Sequence, residues 1–177
     1  MPLKPEPIAW GAKVDEPFRG AVRRLCARLA MDPNDLMACM AFESGRTFSP
    51  SVRNAAGSGA VGLIQFMPST AAALGTTSEE LALMSGPQQL VFVESYFRPW
   101  KNRLRTLSDI YMAILWPGAV GKPEDYVLFS KADPKRPKLF LQNAGLDFNR
   151  DGLITKAEAA SGPAAMLSRG LQKENVG

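Results

Sequence analysis

The chain has 177 residues, of which 46% are hydrophobic and 21% charged, a mix that can bury a core and excludes a disordered chain. It contains no histidine, which excludes Ser-His-Asp and Cys-His catalysis and any histidine-ligated zinc site. Its 21 basic and 17 acidic residues give a net charge of +4 without a run of five basic residues, so nucleic acid is not an indicated partner. No apolar run approaches the roughly 20 residues of a membrane span. Carboxylates, hydroxyls, amides or a hard metal must carry whatever chemistry occurs.

Residues 1–14 read as an extended N-terminal arm, with scattered prolines and charges and no apolar segment of the kind a secretory signal needs. Asp15, followed by Glu16 and Pro17, predicts a helix start. Val22, Leu25, Cys26 and Leu29 then recur at helical spacing. Asp32-Pro33-Asn34-Asp35 opens a second helix, which Gly45 is placed to end. Cys26 and Cys39 fall on the apolar faces of these helices and are expected as free, buried hydrophobes. Residues 49–62 turn to Ser, Asn, Ala and Gly and predict a loop with room for a short hairpin. Pro68 to Leu74 predicts a short helix closed by Gly75, and Thr77 with Glu80 predicts a capping box opening another. A longer helix is expected from about Pro87, with Leu90, Val91, Val93, Tyr96 and Phe97 facing inward and Pro99 breaking it. Ser108 is placed to cap a helix through Leu115, which Trp116-Pro117-Gly118 stops. No segment alternates apolar and polar over five residues, so the domain is predicted to be mainly α.

Glu43 stands out by its placement. It follows Leu36 by seven residues, Cys39 by four and Met40 by three, and so shares the apolar side of the second helix. Lost hydration and the negative end of the helix dipole both favour its protonated form, the state a general acid requires. Placement alone leaves a second reading open, a glutamate that snorkels to solvent or pairs with Arg46.

Glu43-Ser44-Gly45 leads through a Gly/Asn-rich loop into Gly62-Leu63-Ile64-Gln65-Phe66-Met67-Pro68. This pair of segments resembles the lysozyme-like lytic transglycosylases, whose sequences carry a Glu-Ser pair, then Gly-Leu-Met-Gln and Met-Pro. Ile64 stands where Met is commoner. The family's later Ala-Tyr-Asn-Ala-Gly segment is replaced by Tyr111-Met112-Ala113-Ile114-Leu115-Trp116-Pro117-Gly118, so a hydrogen-bonding side chain is lost and an indole gained. The chain resembles a divergent branch of the kind encoded by phages and contact-dependent secretion systems.

The resemblance implies a goose-type or soluble-lytic-transglycosylase-like helical domain over residues 15–137. It implies Glu43 as the catalytic acid and base, acting on the β-1,4 bond between N-acetylmuramic acid and N-acetylglucosamine and closing a 1,6-anhydro ring. It also implies a glycan cleft drawing on Ser44, Asn54, Gln65, Met67, Trp116 and Tyr126. Trp116 either stacks on a sugar or fills the core, and Tyr126 either orients Glu43 or is an ordinary half-buried tyrosine. After Glu43 the next acid in sequence is Glu79, so a single-acid reaction is favoured over two-carboxylate hydrolysis, unless Glu94 or Asp109 is brought close by the fold. A muramidase and a non-catalytic envelope-binding module are the competing readings. The expected partner is peptidoglycan, met by a monomer that is made in the cytoplasm and reaches the periplasm by release, injection or secretion.

Residues 147–158, DFNRDGLITKAE, fit the twelve-residue EF-hand calcium loop. Asp147, Asn149, Asp151, Thr155 and Glu158 supply side-chain oxygens, Leu153 a carbonyl, and Gly152 the required turn. An entering helix is expected over Lys138 to Leu146 and an exiting one from Thr155 to about Ser168. With no second such loop in the chain, Ca2+ is expected to staple an extension over residues 138–170 rather than to signal.

Overall fold

The structure, a computed structural model, describes residues 6–177; the first five residues of the predicted arm lie outside that range. Among the described residues eight α-helices and two short strands follow in the order α1 (Glu16–Leu29), α2 (Pro33–Glu43), α3 (Pro68–Ala73), α4 (Ser78–Leu83), α5 (Gly86–Phe97), α6 (Leu107–Leu115), β1 (Val127–Ser130), α7 (Pro137–Asn143), β2 (Leu153–Thr155) and α8 (Lys156–Gly170). None of the described helices is long and apolar enough to cross a membrane.

The centre of the molecule is α2. Leu36, Met37, Ala38, Cys39, Met40 and Ala41 are all fully buried, as expected for a helix that is apolar on every side rather than along one stripe. Helices α1, α6 and α8 pack around it. Asp15 caps α1 by accepting from Phe18 N, and Asp32 caps α2 by accepting from Asn34 N. The Thr77–Glu80 capping box is formed, and a second box joins Ser85 to Gln88 at the start of α5. Arg98–Trp100 turns into a 3-10 segment at Pro99. Thr106, not Ser108, caps α6, because its side chain reaches Asp109 N. Cys26 and Cys39 are free and buried.

Two parts of the fold depart from the sequence expectations. The described part of the arm is not extended: Gly11–Lys13 is a 3-10 turn, and Ile8, Ala9 and Trp10 are buried. Trp10 Nε1 donates to Met166 O at 2.8 Å, and Ile8 exchanges backbone hydrogen bonds with Gly177. A three-residue apolar cluster is enough to dock a segment that carries too few residues to show a period. The second departure is a small antiparallel sheet, β1 with β2, in which Phe129 pairs with Ile154. Strands of four and three residues are too short to display an alternation.

Candidate active site

Glu43 is the last residue of α2, half-buried beside the polypeptide that leaves the helix. Burial raises its carboxyl from the ordinary 4.5 to about 7. Among the described residues Glu43 forms no salt bridge, so no cation there holds it ionised. The two alternative acids are engaged elsewhere. Glu94 receives a two-pronged hydrogen bond from Arg28, at 2.7 and 2.6 Å, which holds its carboxyl below the usual range. Asp109 is tied to Lys156 Nζ at 2.6 Å and to Gly121 N at 2.8 Å. Burial pushes the Asp109 carboxyl up, but these donors outweigh it and the net direction is down.

Two tyrosines lie within the electrostatic reach of Glu43. Its charge, added to burial, raises the phenols of Tyr96 on α5 and Tyr111 on α6. Tyr96 donates to Ala113 O at 2.5 Å, which joins α5 to α6. Tyr111 packs edge-on against Phe42, the residue before Glu43, with ring centroids 5.6 Å apart. The sequence leaves Tyr126 open between orienting Glu43 and being an ordinary half-buried tyrosine. Tyr126 lies in the loop before β1, exposed, with Lys122 Nζ 5.6 Å from its ring centroid. The available signal is the helical register: Tyr96 sits on an inward-facing position of α5, which packs on α1, and Tyr111 on one of α6, which packs on α2.

The loop after α2 is held by side chains inside it. Ser44 is buried; its Oγ accepts from Phe48 N at 3.0 Å, so the hydroxyl turns into the loop. Asn54 Oδ1 accepts from Ala56 N at 2.7 Å in an exposed turn. Gln65 has a left-handed backbone, φ 52°, and its amide donates to Val52 O at 3.2 Å and Gly62 O at 3.1 Å. That leaves its carbonyl oxygen for a ligand. Gln65, Met67, Thr70, Tyr96 and Ile114 line one small cleft of about 40 Å³, and Met67 at the start of α3 is well exposed beside it.

Gln89 on α5 was missed entirely. It is fully buried and accepts from Leu63 N at 2.8 Å while donating to Pro50 O at 3.0 Å and Leu81 O at 2.9 Å. Gly62, at φ 84°, passes so close to this amide that any Cβ there would collide with it. Gln89 therefore pins the loop that carries Gln65. Trp116 closes α6, half-buried, with its ring edge-on to Phe129 at 5.1 Å. Asp147, Asn149, Asp151, Leu153 and Thr155 lie between α7 and α8, and Glu158 lies in the first turn of α8, in a separate part of the chain from Glu43 and Gln65.

Residues 22–102 match the family described as the Transglycosylase SLT domain. The matched segment takes in Glu43, Gln65, Gln89 and Tyr96, and ends before α6 with Tyr111 and Trp116. No curated protein matches the chain.

Proposed function

We propose that this protein is a peptidoglycan lytic transglycosylase in which Glu43 acts first as acid and then as base. The SLT-domain match supports the reaction class and peptidoglycan as substrate. The observation that carries the role of Glu43 is its half-buried carboxyl, raised by burial to about 7, with Tyr96 of the Gln65–Tyr96 cleft within its electrostatic reach.

In this reading, protonated Glu43 donates to the oxygen of the β-1,4 bond between N-acetylmuramic acid and N-acetylglucosamine, and that C–O bond breaks. The acetamido group of the muramic acid shares the positive charge left on its C1. The Glu43 carboxylate then takes the proton of the same sugar's 6-hydroxyl, whose oxygen bonds to C1. The proton returns to Glu43 and the ring closes without water. A pKa near 7 suits both halves of this cycle. Hydrolysis of the same bond by a muramidase is less well supported, because Glu94 and Asp109 are both held by cations. Access to the periplasmic wall by release, injection or secretion belongs to the same proposal.

Mass spectrometry of purified sacculi after digestion tests the reading. The transglycosylase yields muropeptides lighter by one water than hydrolytic products. Products carrying that water would assign the protein to the muramidases. No release of muropeptides at all would favour an envelope-binding module.

A further inference from the structure

The loop of residues 147–158 has no part in the proposed glycan chemistry, yet it starts the helix that braces α2. It leaves the 3-10 turn Ala144–Leu146 behind α7, passes through β2 and enters α8 directly. The oxygen-bearing residues Asp147, Asn149 and Asp151 alternate along it, and Gly152 takes φ 83° at the sixth position. Ile154, at the eighth, is fully buried and fixes the loop to β1 opposite Phe129.

A second observation points to a cation. Glu158 Oε2 accepts from Thr155 N and Thr155 Oγ1, each at 2.9 Å, while Oε1 is buried without a hydrogen-bond partner. A buried carboxylate oxygen with no donor is costly, and a hard cation supplies what the protein does not. Among the described residues no three acidic, His or Cys side chains are gathered as a metal-holding group. In this geometry Glu158 caps its own helix, so binding requires it to turn toward Asp147 and Asp151. The remaining oxygens come from Asn149, Thr155 and the Leu153 carbonyl.

We propose that this loop binds one Ca2+ and that the ion fixes the first turn of α8 against the domain that carries Glu43. The next residue after Thr155 transmits the clamp. Lys156 is 1% exposed and its Nζ reaches Asp109 Oδ1 on α6 at 2.6 Å and Lys122 O at 2.7 Å. Its backbone N donates to Tyr126 O at 2.9 Å, and Ala157 N donates to Glu124 O at 2.9 Å. Further along α8, Gly162 lies against Phe42, next to Glu43. Three carboxylates in the set suggest a dissociation constant on the order of 10 μM.

Calorimetric titration of the full chain with CaCl2, beside thermal melts in 1 mM CaCl2 and in chelator, tests the site without any activity assay. The proposal expects one ion per chain and a melting temperature roughly 5–10 °C higher with calcium. MgCl2 at the same concentration should give a smaller shift, because Mg2+ dehydrates reluctantly. Glu158→Gln should lose most of the shift, and Asp147→Asn, which leaves the Thr155–Glu158 cap intact, should weaken binding at least about tenfold. Absence of binding heat with superposable melts would overturn the proposal. Undiminished calcium shifts in both variants would equally overturn the assigned ligands. Neither outcome bears on glycan cleavage, so the two proposals fail separately.

Discussion

The ring of Phe42 occupies the space that a side chain at Gly162 would need, so α8 meets α2 at the residue preceding Glu43. Phe42 is held on its other side by Tyr111. Gly162→Ala forces this ring to move and should cost about 1–3 kcal/mol by overpacking. It should also lower turnover in protein that remains folded, because Phe42 and Glu43 share the last turn of α2. Comparison of melts and initial rates for the variant checks both. An unchanged rate would show that the α8 contact does not position the carboxylate.

Glu43 should make stability depend on pH in a defined sense. Its carboxyl is raised from 4.5 to about 7, so the native state binds the proton more tightly than the unfolded chain. Its contribution is fully present below pH 4.5 and is lost as pH rises through 7. Glu43→Gln removes the buried charge, and should therefore be the more stable protein at pH 8 by roughly 1–3 kcal/mol. The two proteins should converge near pH 5. A constant difference across that range would mean that burial does not load the carboxylate.

Gln65 combines a left-handed backbone with side-chain donors to two loop carbonyls. Gln65→Gly removes the side chain while relieving the strained φ, so its two effects on stability partly cancel. Turnover should fall by the equivalent of about 1–3 kcal/mol, with a melting shift of only a few degrees. Strong destabilisation with wild-type turnover would make Gln65 a loop strut only.

Lys156 and Asp109 form a buried ion pair with a nearly complete set of partners. Lys156→Met leaves Asp109 buried without its cation and should cost about 3–5 kcal/mol. Lys156→Met with Asp109→Leu should recover much of that loss. Equilibrium denaturation of the single and double variants distinguishes this from a packing defect, which the second substitution would not relieve.

Much of the helical framework was legible because its signals are local. Asp15, Asp32 and Thr77 each cap the helix that their sequence context announces, and Glu43 falls where the helical register puts it. The site around Glu43 was legible only in part. Gln65 and Met67 of the double motif line one cleft, and Tyr96, thirty-one residues further along the chain from Gln65, is brought to it by α5. Gln89 gave no sequence signal, since a glutamine in a helix reads as solvated until tertiary contacts bury it. The Lys156–Asp109 pair was hidden for the same reason, joining residues 47 positions apart. Ser44 was visible as part of a motif, but its motif does not say that the hydroxyl faces Phe48 N.

Glu43 is the residue on which the proposed reaction depends most, and the turnover of sacculi by wild type and Glu43→Gln measures its role most directly. Release of anhydro-muropeptides should fall at least about 10²-fold in the variant, the lower end for loss of a general acid. The variant should keep wild-type circular dichroism and melt cooperatively. Wild-type activity should decline above pH 7 as the carboxyl ionises. A folded variant that releases the same products within a few-fold of the wild-type rate would contradict the assignment of Glu43 as the acid.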